Sequence, residues 1–470
     1  MKLNKHGYVV KKSEIDTNQI KKIKEDLTIK PHVMNDFGTA SEIKFKIFLE
    51  SPKKLYLPRF YGLELFGTPD TIDLEGEMID IKFAGNLRKE QMPIYEKTMK
   101  QLTNEGGGII SLKCGGGKTV LALYILSQLK FKTIIVVHKD FLMTQWYDRI
   151  KEFIPNAKIG KIQQTTIDID GKDIVLAMVQ SLSMKEYEEG IFDCFGMAIF
   201  DECHHLGAEV FQKCLSKVQT KYMLGLSATP NRKDGCRKVF EWHIGKLAYT
   251  TKEKNKEYVE VFIYKYKCDD VKYNKIELAY KGKPCCPRMI NNICNYLPRT
   301  QILIDKIIEY SNQGREVLYL SDRRNNLDTI YKILKEKNYE CGFYVGGMKP
   351  EQLRESQKKN IILGTYSMAS EGMDIPKLNT ILLGSPKSDV VQTVGRILRQ
   401  TEKTRKFHPL VFDINDDFSI FTNQSKKRLA FYSKQNYDIN IIDDGNLSKY
   451  EKKTRSKKAN IIDFDKCLID

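Results

Sequence analysis

The sequence predicts an α/β chain: two tandem, doubly wound parallel-sheet lobes behind a small N-terminal α+β region. Three observations predict it. From residue 109 onward, short β-branched or apolar runs alternate with helical stretches. The alternation starts afresh after residue 300, in a second unit of similar size. The run IISLK meets a glycine-rich turn and then a helix, in IISLKCGGGKTVLAL. Sheets of this kind bind ligands at the carboxyl ends of their strands.

The elements follow in order. Residues 1–80 mix short apolar runs with turns (GYVV, IKFKIFL, KLYLPRFYGLELFG), interrupted by Pro58 and Pro69, and are expected to form the accessory α+β region. In the expected first lobe, residues 81–250, the strands are GGIISLK, KTIIVVH, DIVLAMV, GMAIFD and YMLGLSAT, with TVLALYILSQL and DFLMTQWYDRIKEF as helices. Residues 251–300 are less regular and read as a connecting segment with some strand. In the expected second lobe, residues 301–435, ILIDKIIEYS, NLDTIYKILKEK and KKRLAFYSKQ are helical. REVLYLS, YECGFYV, KNIILGT, NTILLGS and HPLVFDI are its strands. Residues 436–470, with KYEKKTRSKKA, read as a solvated basic tail.

Composition narrows the function. With 41% hydrophobic and 29% charged residues, the chain is globular rather than disordered. Runs of about 18 apolar residues are missing, so no membrane span is expected. The opening MKLNKHGYVVKK lacks the apolar centre of an export signal. A net charge of +17 favours an anionic partner, nucleic acid above all, although a lysine-rich composition set by an AT-rich genome gives the same excess. The 11 scattered cysteines fit reduced thiols in a cytosol-like compartment. Cys268, Cys285, Cys286 and Cys294 number enough for a zinc cluster, but adjacent cysteines without paired CxxC knuckles count against one.

The sharpest local signal is the turn CGGGKT. Its glycines let backbone amides face phosphate oxygens, and the helix that follows adds its positive end. Lys118 is expected to reach the β- and γ-phosphates, and Thr119 to ligate Mg²⁺ through its hydroxyl. Leu112 stands where the general form of the motif has a glycine.

The stretch MAIFDECHHLGAEVF sets Asp201, Glu202, Cys203, His204 and His205 in a row behind an apolar run. A metal cage and the acidic strand end of a nucleotide hydrolase are both compatible with that composition. HExxH spacing is absent, and adjacent histidines on a helix point apart. The hydrolase reading gives Asp201 the Mg²⁺ ion and Glu202 the attacking water, and leaves His205 as a hydrogen-bonded residue at the sheet edge.

The first lobe shows no arginine to neutralise a transferred phosphoryl group. In DVVQTVGRILRQ, Arg396 and Arg399 lie three apart on an expected helix and would share a face. Val390, Val391, Val394, Ile397 and Leu398 recur at helical spacing as its core face, and Gly395 permits close backbone approach.

In order and spacing these strings resemble the motifs of superfamily 2 DExH-box helicases. Within them they look like the group holding the basal-transcription and repair helicase, phage DNA-remodelling helicases and the poxvirus transcript-release DNA helicase, and closest to its large-DNA-virus members. The resemblance covers roughly residues 80–435. It implies two RecA-like lobes using ATP and Mg²⁺. Leu87, Arg88 and Gln91 resemble the segment that touches adenine. Gly115, Gly116, Gly117, Lys118 and Thr119 match the phosphate loop. His138 and Lys139, Gln180 and Ser181, and Thr365 fall in motifs that hold the nucleic-acid backbone. DECH matches the DExH box, with Cys203 at its variable position and His204 as a coupling residue. Ser227, Ala228 and Thr229, with Arg232, Asp234 and Gly235, match the segment that couples hydrolysis to movement. VLYLSDR resembles the fourth motif. Glu371, Gly372 and Asp374 complete the motif of Thr365, and Gln392, Gly395, Arg396 and Arg399 match the last one, with Gln392 in a coupling role.

What the resemblance implies is an ATP-dependent helicase or translocase, DNA-stimulated, moving 3′ to 5′ in viral transcription (transcript release) or genome maintenance. A duplex translocase that does not separate strands and an RNA helicase are the alternatives. DNA is the implied partner ahead of RNA, with RNA polymerase or transcription factors beside it and no membrane. The implied location is inside the infected cell, in a cytoplasmic viral factory or the nucleus, or packaged in the virion. Residues 1–80 are expected to be an accessory region that could bind nucleic acid.

Overall fold

The structure is a computed structural model, and it describes residues 1–30, 44–112, 116–202, 208–227, 237–250, 258–279, 282–371, 373, 375–400 and 404–450. The N-terminal region folds strands β1 (Lys2–Asn4), β2 (Gly7–Lys11), β5 (Leu49–Glu50), β6 (Lys54–Leu57) and β7 (Thr71–Ile72) into one sheet, with β3 (Thr28–Ile29) paired to β4 (Phe45–Lys46) beside it. Pro58 ends β6 and precedes the helix Arg59–Phe66, so both prolines fall between elements, where a missing N–H does least harm.

Two eight-stranded sheets follow. The first holds β8 (Gly107–Ser111), β9 (Thr133–Val137), β10 (Ile159–Gln163), β11 (Thr166–Asp168), β12 (Ile174–Met178), β13 (Met197–Phe200), β14 (Tyr222–Ser227) and β15 (Leu247–Thr250). Their order is β11-β10-β12-β9-β13-β14-β8-β15, all parallel except the β10–β11 hairpin. The central strands β8, β9, β12, β13 and β14 are buried on both faces, which is why they read as continuous apolar runs. Ile134 and Val136 point into one core and Ile135 and Val137 into the other. The chain leaves β8, crosses to β9, and returns later to lay β13 and β14 between them. That crossing sets the carboxyl end of β8 one strand away from that of β13.

The second sheet holds β16 (Glu260–Tyr266), β17 (Val317–Leu320), β18 (Cys341–Tyr344), β19 (Ile361–Gly364), β20 (Thr380–Leu383), β21 (Leu410–Asp416), β22 (Asp438–Asp443) and β23 (Asn446–Lys449), in the order β18-β19-β17-β20-β21-β16-β22-β23. Only the β22–β23 hairpin is antiparallel. The expected fold class of two tandem doubly wound lobes is thus the observed one, with an antiparallel hairpin closing one edge of each sheet.

Two expected boundaries are corrected. β16 lies inside the segment 251–300 read as a connection, yet it pairs along its length with both β21 and β22. β22 and β23 lie inside the segment 436–470 read as a tail, and extend the same sheet. The cluster of lysines after residue 448 obscured the alternation in DINIID. Residues 436–470 carry 7 Lys+Arg against 7 Asp+Glu, so they are not basic in sum.

The N-terminal region is joined to the first lobe rather than tethered to it. Tyr8, Leu55, Leu57 and Tyr61 share one continuous core with Ile109, Ile134, Val239 and Phe240. Arg59, 6% exposed, donates to the carbonyls of Glu105 (2.9 Å), Gly106 (3.3 Å), Thr220 (3.3 Å) and Lys221 (2.9 Å). A side chain on Gly106, at φ +80°, would run into that guanidinium, so glycine is required there. Those four carbonyls sit at the amino ends of β8 and β14, opposite the edge that carries the candidate site. The region holds 13 Lys+Arg and 13 Asp+Glu, so the whole excess of +17 falls between residues 81 and 435.

Among the described residues, no helix is long and apolar enough to cross a membrane, and no three His, Cys, Asp or Glu side chains gather as a metal cage.

Candidate active site

β8 ends at Ser111 with Leu112 buried behind it, and Gly116 and Gly117 precede the helix Lys118–Leu129. Gly117 caps that helix at φ +75°, and a Cβ there would stand 2.4 Å from Nε2 of Gln91. Glycine is therefore favoured by conformation, and a side chain there would displace the Gln91 amide from the turn. Gln91, 4% exposed, donates from Nε2 to the Gly117 carbonyl at 3.3 Å and accepts the Arg88 amide at 3.1 Å. The segment before the first lobe is thereby bound to the glycine turn. Lys118 and Thr119 open the helix, where its partial positive charge lies.

The carboxylates come from the end of β13. The Asp201 amide donates to the Val136 carbonyl at 3.0 Å, which continues the sheet one residue past the strand. Glu202 then takes φ +47°, a left-handed conformation that a non-glycine residue adopts at a cost and that here turns its side chain out of the strand. Asp201 is clamped at both oxygens: Oδ1 accepts the Glu202 amide at 3.0 Å, and Oδ2 accepts Nε1–H of Trp146 at 2.8 Å. Glu202 Oε1 lies 2.6 Å from Lys118 Nζ, with both side chains largely shielded. Burial, and next the charge of Glu202, push the Asp201 carboxyl up from its usual range, against the opposing pull of Lys118. Two carboxylates held so close in a shielded place favour a bound cation. The Asp201 carboxylate and the Thr119 hydroxyl are hard oxygen donors, so the residues fit Mg²⁺.

At the end of β14, one strand between, Ser227 is buried and its carbonyl accepts the Leu112 amide at 3.1 Å. The strand of Ser227 thus locks onto the start of the glycine turn.

In the second lobe the expected helix over DVVQTVGRILRQ is corrected. The α-helix is only Val391–Val394, it tightens to a 3₁₀ turn over Gly395–Ile397, and Arg399 lies beyond both. Glycine is a poor helix former, and the Arg396 guanidinium turns inward to donate to the Met373 carbonyl at 2.8 Å. Val390, Val394 and Ile397 are buried as expected, whereas Val391 is 41% exposed and Leu398 half-buried. Arg396 and Arg399 do not share a helical face, but their charges both reach Tyr344 at the end of β18, where they oppose the rise that burial gives its phenol. Gln392 is half-buried in the short helix.

The candidate nucleic-acid residues gather at the carboxyl ends of β9, β12 and β19. His138 and Ser181 are buried; Gln180 donates to the His138 carbonyl at 3.0 Å, and Ser181 Oγ accepts the Gln164 amide at 2.9 Å. Lys139 stands with Nζ 5.9 Å from the centre of the Phe141 ring. The Thr365 amide donates to the Tyr344 carbonyl at 3.3 Å. Lys139, Gln180 and Thr365 are the members that present surface; His138 and Ser181 serve the scaffold beneath them. Gly115, His204 and Thr229 lie outside the described residues, as do Cys203, His205, Ala228, Arg232, Asp234, Gly235, Gly372 and Asp374.

Sequence reasoning missed Trp146 and Arg59. Trp146 falls on the buried face of the helix Asp140–Phe153 with Leu142, Met143 and Ile150, and so reads as core. The available signal was its indole N–H, which must find an acceptor when buried. Nothing in KLYLPRFYGLELFG marks Arg59, because its acceptors are backbone carbonyls distant in sequence.

A parallel sheet with a glycine turn and lysine after β8 and a carboxylate pair after β13, followed by a second such sheet bearing two arginines, defines the class of two-lobed nucleotide-hydrolysing motors. The family described as type III restriction enzyme, res subunit matches residues 84–232, and the helicase conserved C-terminal domain matches residues 299–401. A protein of Acanthamoeba polyphaga mimivirus, named as an ATP-dependent RNA helicase, is 37% identical over 466 residues, covering 96% of this chain and 89% of that one. A protein of African swine fever virus named in the same way is 26% identical over 378 residues, with 74% and 73% covered. A protein of Escherichia phage T5, named as a helicase, is 26% identical over 356 residues, with 74% and 75% covered. The chain belongs to the superfamily 2 ATP-dependent helicases, in the group that large DNA viruses carry.

Proposed function

We propose that this helicase hydrolyses ATP at the Lys118–Glu202–Asp201 cluster to drive 3′ to 5′ movement along DNA, in viral transcript release or genome maintenance. The observation that carries the reading is the convergence of Lys118 Nζ and Glu202 Oε1 at 2.6 Å beside a clamped Asp201. Lys118 would hold the β- and γ-phosphates against the helix amino terminus, and Gln91, already on the glycine turn, would face the base. Asp201 and Thr119 would hold Mg²⁺, which when bound offsets charge on the phosphates. Glu202, released from Lys118 as phosphate takes its place, would accept the proton of the attacking water. Arg396 and Arg399, delivered from the second lobe, would stabilise the charge developing on the γ-phosphoryl oxygens. His204, Ser227, Thr229 and Gln392 would couple that event to movement.

On the polynucleotide, Lys139, Gln180 and Thr365 would grip the sugar-phosphate backbone above His138 and Ser181. Such contacts are sequence-independent and salt-sensitive, as a motor that passes every sequence requires. The excess charge of residues 81–435 supports placing that grip on the lobes, and the even charge balance of residues 1–80 supports an accessory region used for docking. RNA polymerase or transcription factors would be its partners. RNA is the second reading, favoured by the names of the mimivirus and African swine fever virus relatives. ATPase activity with matched single-stranded DNA, duplex DNA and RNA tests both. Stimulation by DNA is expected, and stimulation by RNA alone would overturn the DNA reading. An unwinding assay beside triplex displacement separates strand separation from bare translocation.

A further inference from the structure

One helix of the first lobe links the proposed polynucleotide grip, the second-lobe core and the hydrolytic carboxylates. His138 and Lys139 lead into the helix Asp140–Phe153, and the Lys139 carbonyl accepts the amides of Leu142 (3.1 Å) and Met143 (3.3 Å) in its first turn. Phe141, also in that turn, packs against the first-lobe core and against the second-lobe core that holds Met373, Val390, Val394 and Ile397. One turn further on, Trp146 is 1% exposed and gives its N–H to Asp201 Oδ2 at 2.8 Å. From there the hydrogen bonds continue without a break: Asp201 Oδ1 to the Glu202 amide at 3.0 Å, and Glu202 Oε1 to Lys118 Nζ at 2.6 Å. Three hydrogen bonds thus join a buried indole to the phosphate lysine.

We propose that Trp146 is a positioning residue: it sets the pose of the Asp201 carboxylate for Mg²⁺ and, through its helix, passes polynucleotide grip at Lys139 and lobe contact at Phe141 to the hydrolytic site. The other Asp201 oxygen is tied to its own backbone neighbour, so among the described residues Trp146 is the point at which a separate element holds the carboxylate. A 14-residue helix moves as a rigid rod over about 21 Å, so a shift at its first turn reaches Trp146 undiminished. The residue is of the kind that orients a metal ligand from behind, where loss of the partner lowers metal affinity or activity about 10- to 100-fold. The inference rests on the reading of Asp201 as the Mg²⁺ carboxylate.

The test is Trp146→Phe in the full chain, which keeps an aromatic ring and removes the N–H. Calorimetric binding of ADP is measured with and without Mg²⁺, and ATP turnover with and without single-stranded DNA. The half-saturating Mg²⁺ concentration for ADP binding should rise about tenfold, with metal-free ADP affinity unchanged. Stimulation of kcat by DNA should fall more than KM for ATP changes. Wild-type Mg²⁺ dependence in this variant would overturn the proposal. Asp201→Asn separates the two readings: if it too keeps wild-type Mg²⁺ dependence, the site assignment is what fails; if it loses that dependence while Trp146→Phe keeps it, only the role of Trp146 fails. Should Trp146→Phe not fold, wild-type protein labelled with 5-fluorotryptophan carries the test. The chain has 2 tryptophans, and Trp242→Phe assigns them. The Trp146 fluorine resonance should shift when Mg²⁺ is added to the ADP complex and again when DNA is added; a resonance that stays fixed through both overturns the inference.

Discussion

Lys118 Nζ and Glu202 Oε1 meet at 2.6 Å across the carboxyl edge of the first sheet, 84 residues apart in sequence. The base proposed to activate water is therefore occupied by the lysine proposed to bind phosphate. A γ-phosphate entering the turn competes for that lysine, so binding of substrate would itself release the base.

Glu202→Gln checks this exchange. Turnover should fall about 10²- to 10⁴-fold, the usual contribution of a positioned base. ATP affinity should hold or rise, because a neutral amide competes less well for Lys118. Equilibrium nucleotide binding beside steady-state turnover measures both. A variant that keeps a tenth or more of its turnover would remove Glu202 from the role of base.

Arg396 and Arg399 should separate in their effects. Arg399→Ala is expected to lower kcat by about 10³-fold or more with little change in nucleotide affinity, as for arginines that act in the transition state. Arg396 also donates to the Met373 carbonyl from a buried position. Arg396→Ala should thus lower both kcat and thermal stability, by about 1–3 kcal/mol for the carbonyl left unpaired. Turnover, nucleotide binding and melting temperature measured together show the difference; equal melting temperatures for the two variants would contradict the structural part.

Much of this was legible in the sequence. The strands of both lobes are short apolar runs bounded by turns, so KTIIVVH and HPLVFDI announce β9 and β21, and the glycine turn and DE pair announce the candidate site. What stayed hidden depends on long-range pairing. β16 and β22 lie side by side inside the sheet, and their membership is decided by hydrogen bonds to β21 and to each other, across more than 140 residues. The break of the helix at Gly395 reflects the Arg396 guanidinium turning toward a carbonyl 23 residues away, which spacing alone does not encode. Trp146 and Arg59 were invisible for the same reason: the identity of each residue is plain, but its acceptor is set by the fold.

Arg59→Ala tests how firmly the N-terminal region is joined to the first lobe. Burial pulls the guanidinium pKa down to about 10, still charged near neutrality; without it the carbonyls of Glu105, Thr220 and Lys221 would lose their donor, while that of Gly106 keeps the Met223 amide at 3.0 Å. At about 1–3 kcal/mol for each carbonyl left unpaired, a loss of about 3 kcal/mol or more is expected in urea unfolding. The carbonyls lie at the amino ends of the strands, opposite the candidate site, so turnover per folded molecule at low temperature should remain within about twofold. A large loss of kcat in folded protein would show that residues 1–80 act on the site itself.

Acid sensitivity should trace in part to His243. This imidazole is fully enclosed beside the first-lobe core, with Nδ1 2.8 Å from the Val239 carbonyl, and burial pulls its pKa down to about 4 from 6.5. Between those values the unfolded chain binds a proton that the native state does not, so stability rises with pH across the window and is lost as pH falls from 6.5 toward 4. At pH 5 the loss is about 2 kcal/mol relative to pH 7. His243→Gln removes the titrating group, so the variant, although less stable at pH 7, should lose about 2 kcal/mol less than the wild type between pH 7 and pH 5. Urea unfolding of both proteins at the two pH values measures the difference, and parallel losses would show that His243 takes up its proton alike in the native and unfolded states, with no depression by burial.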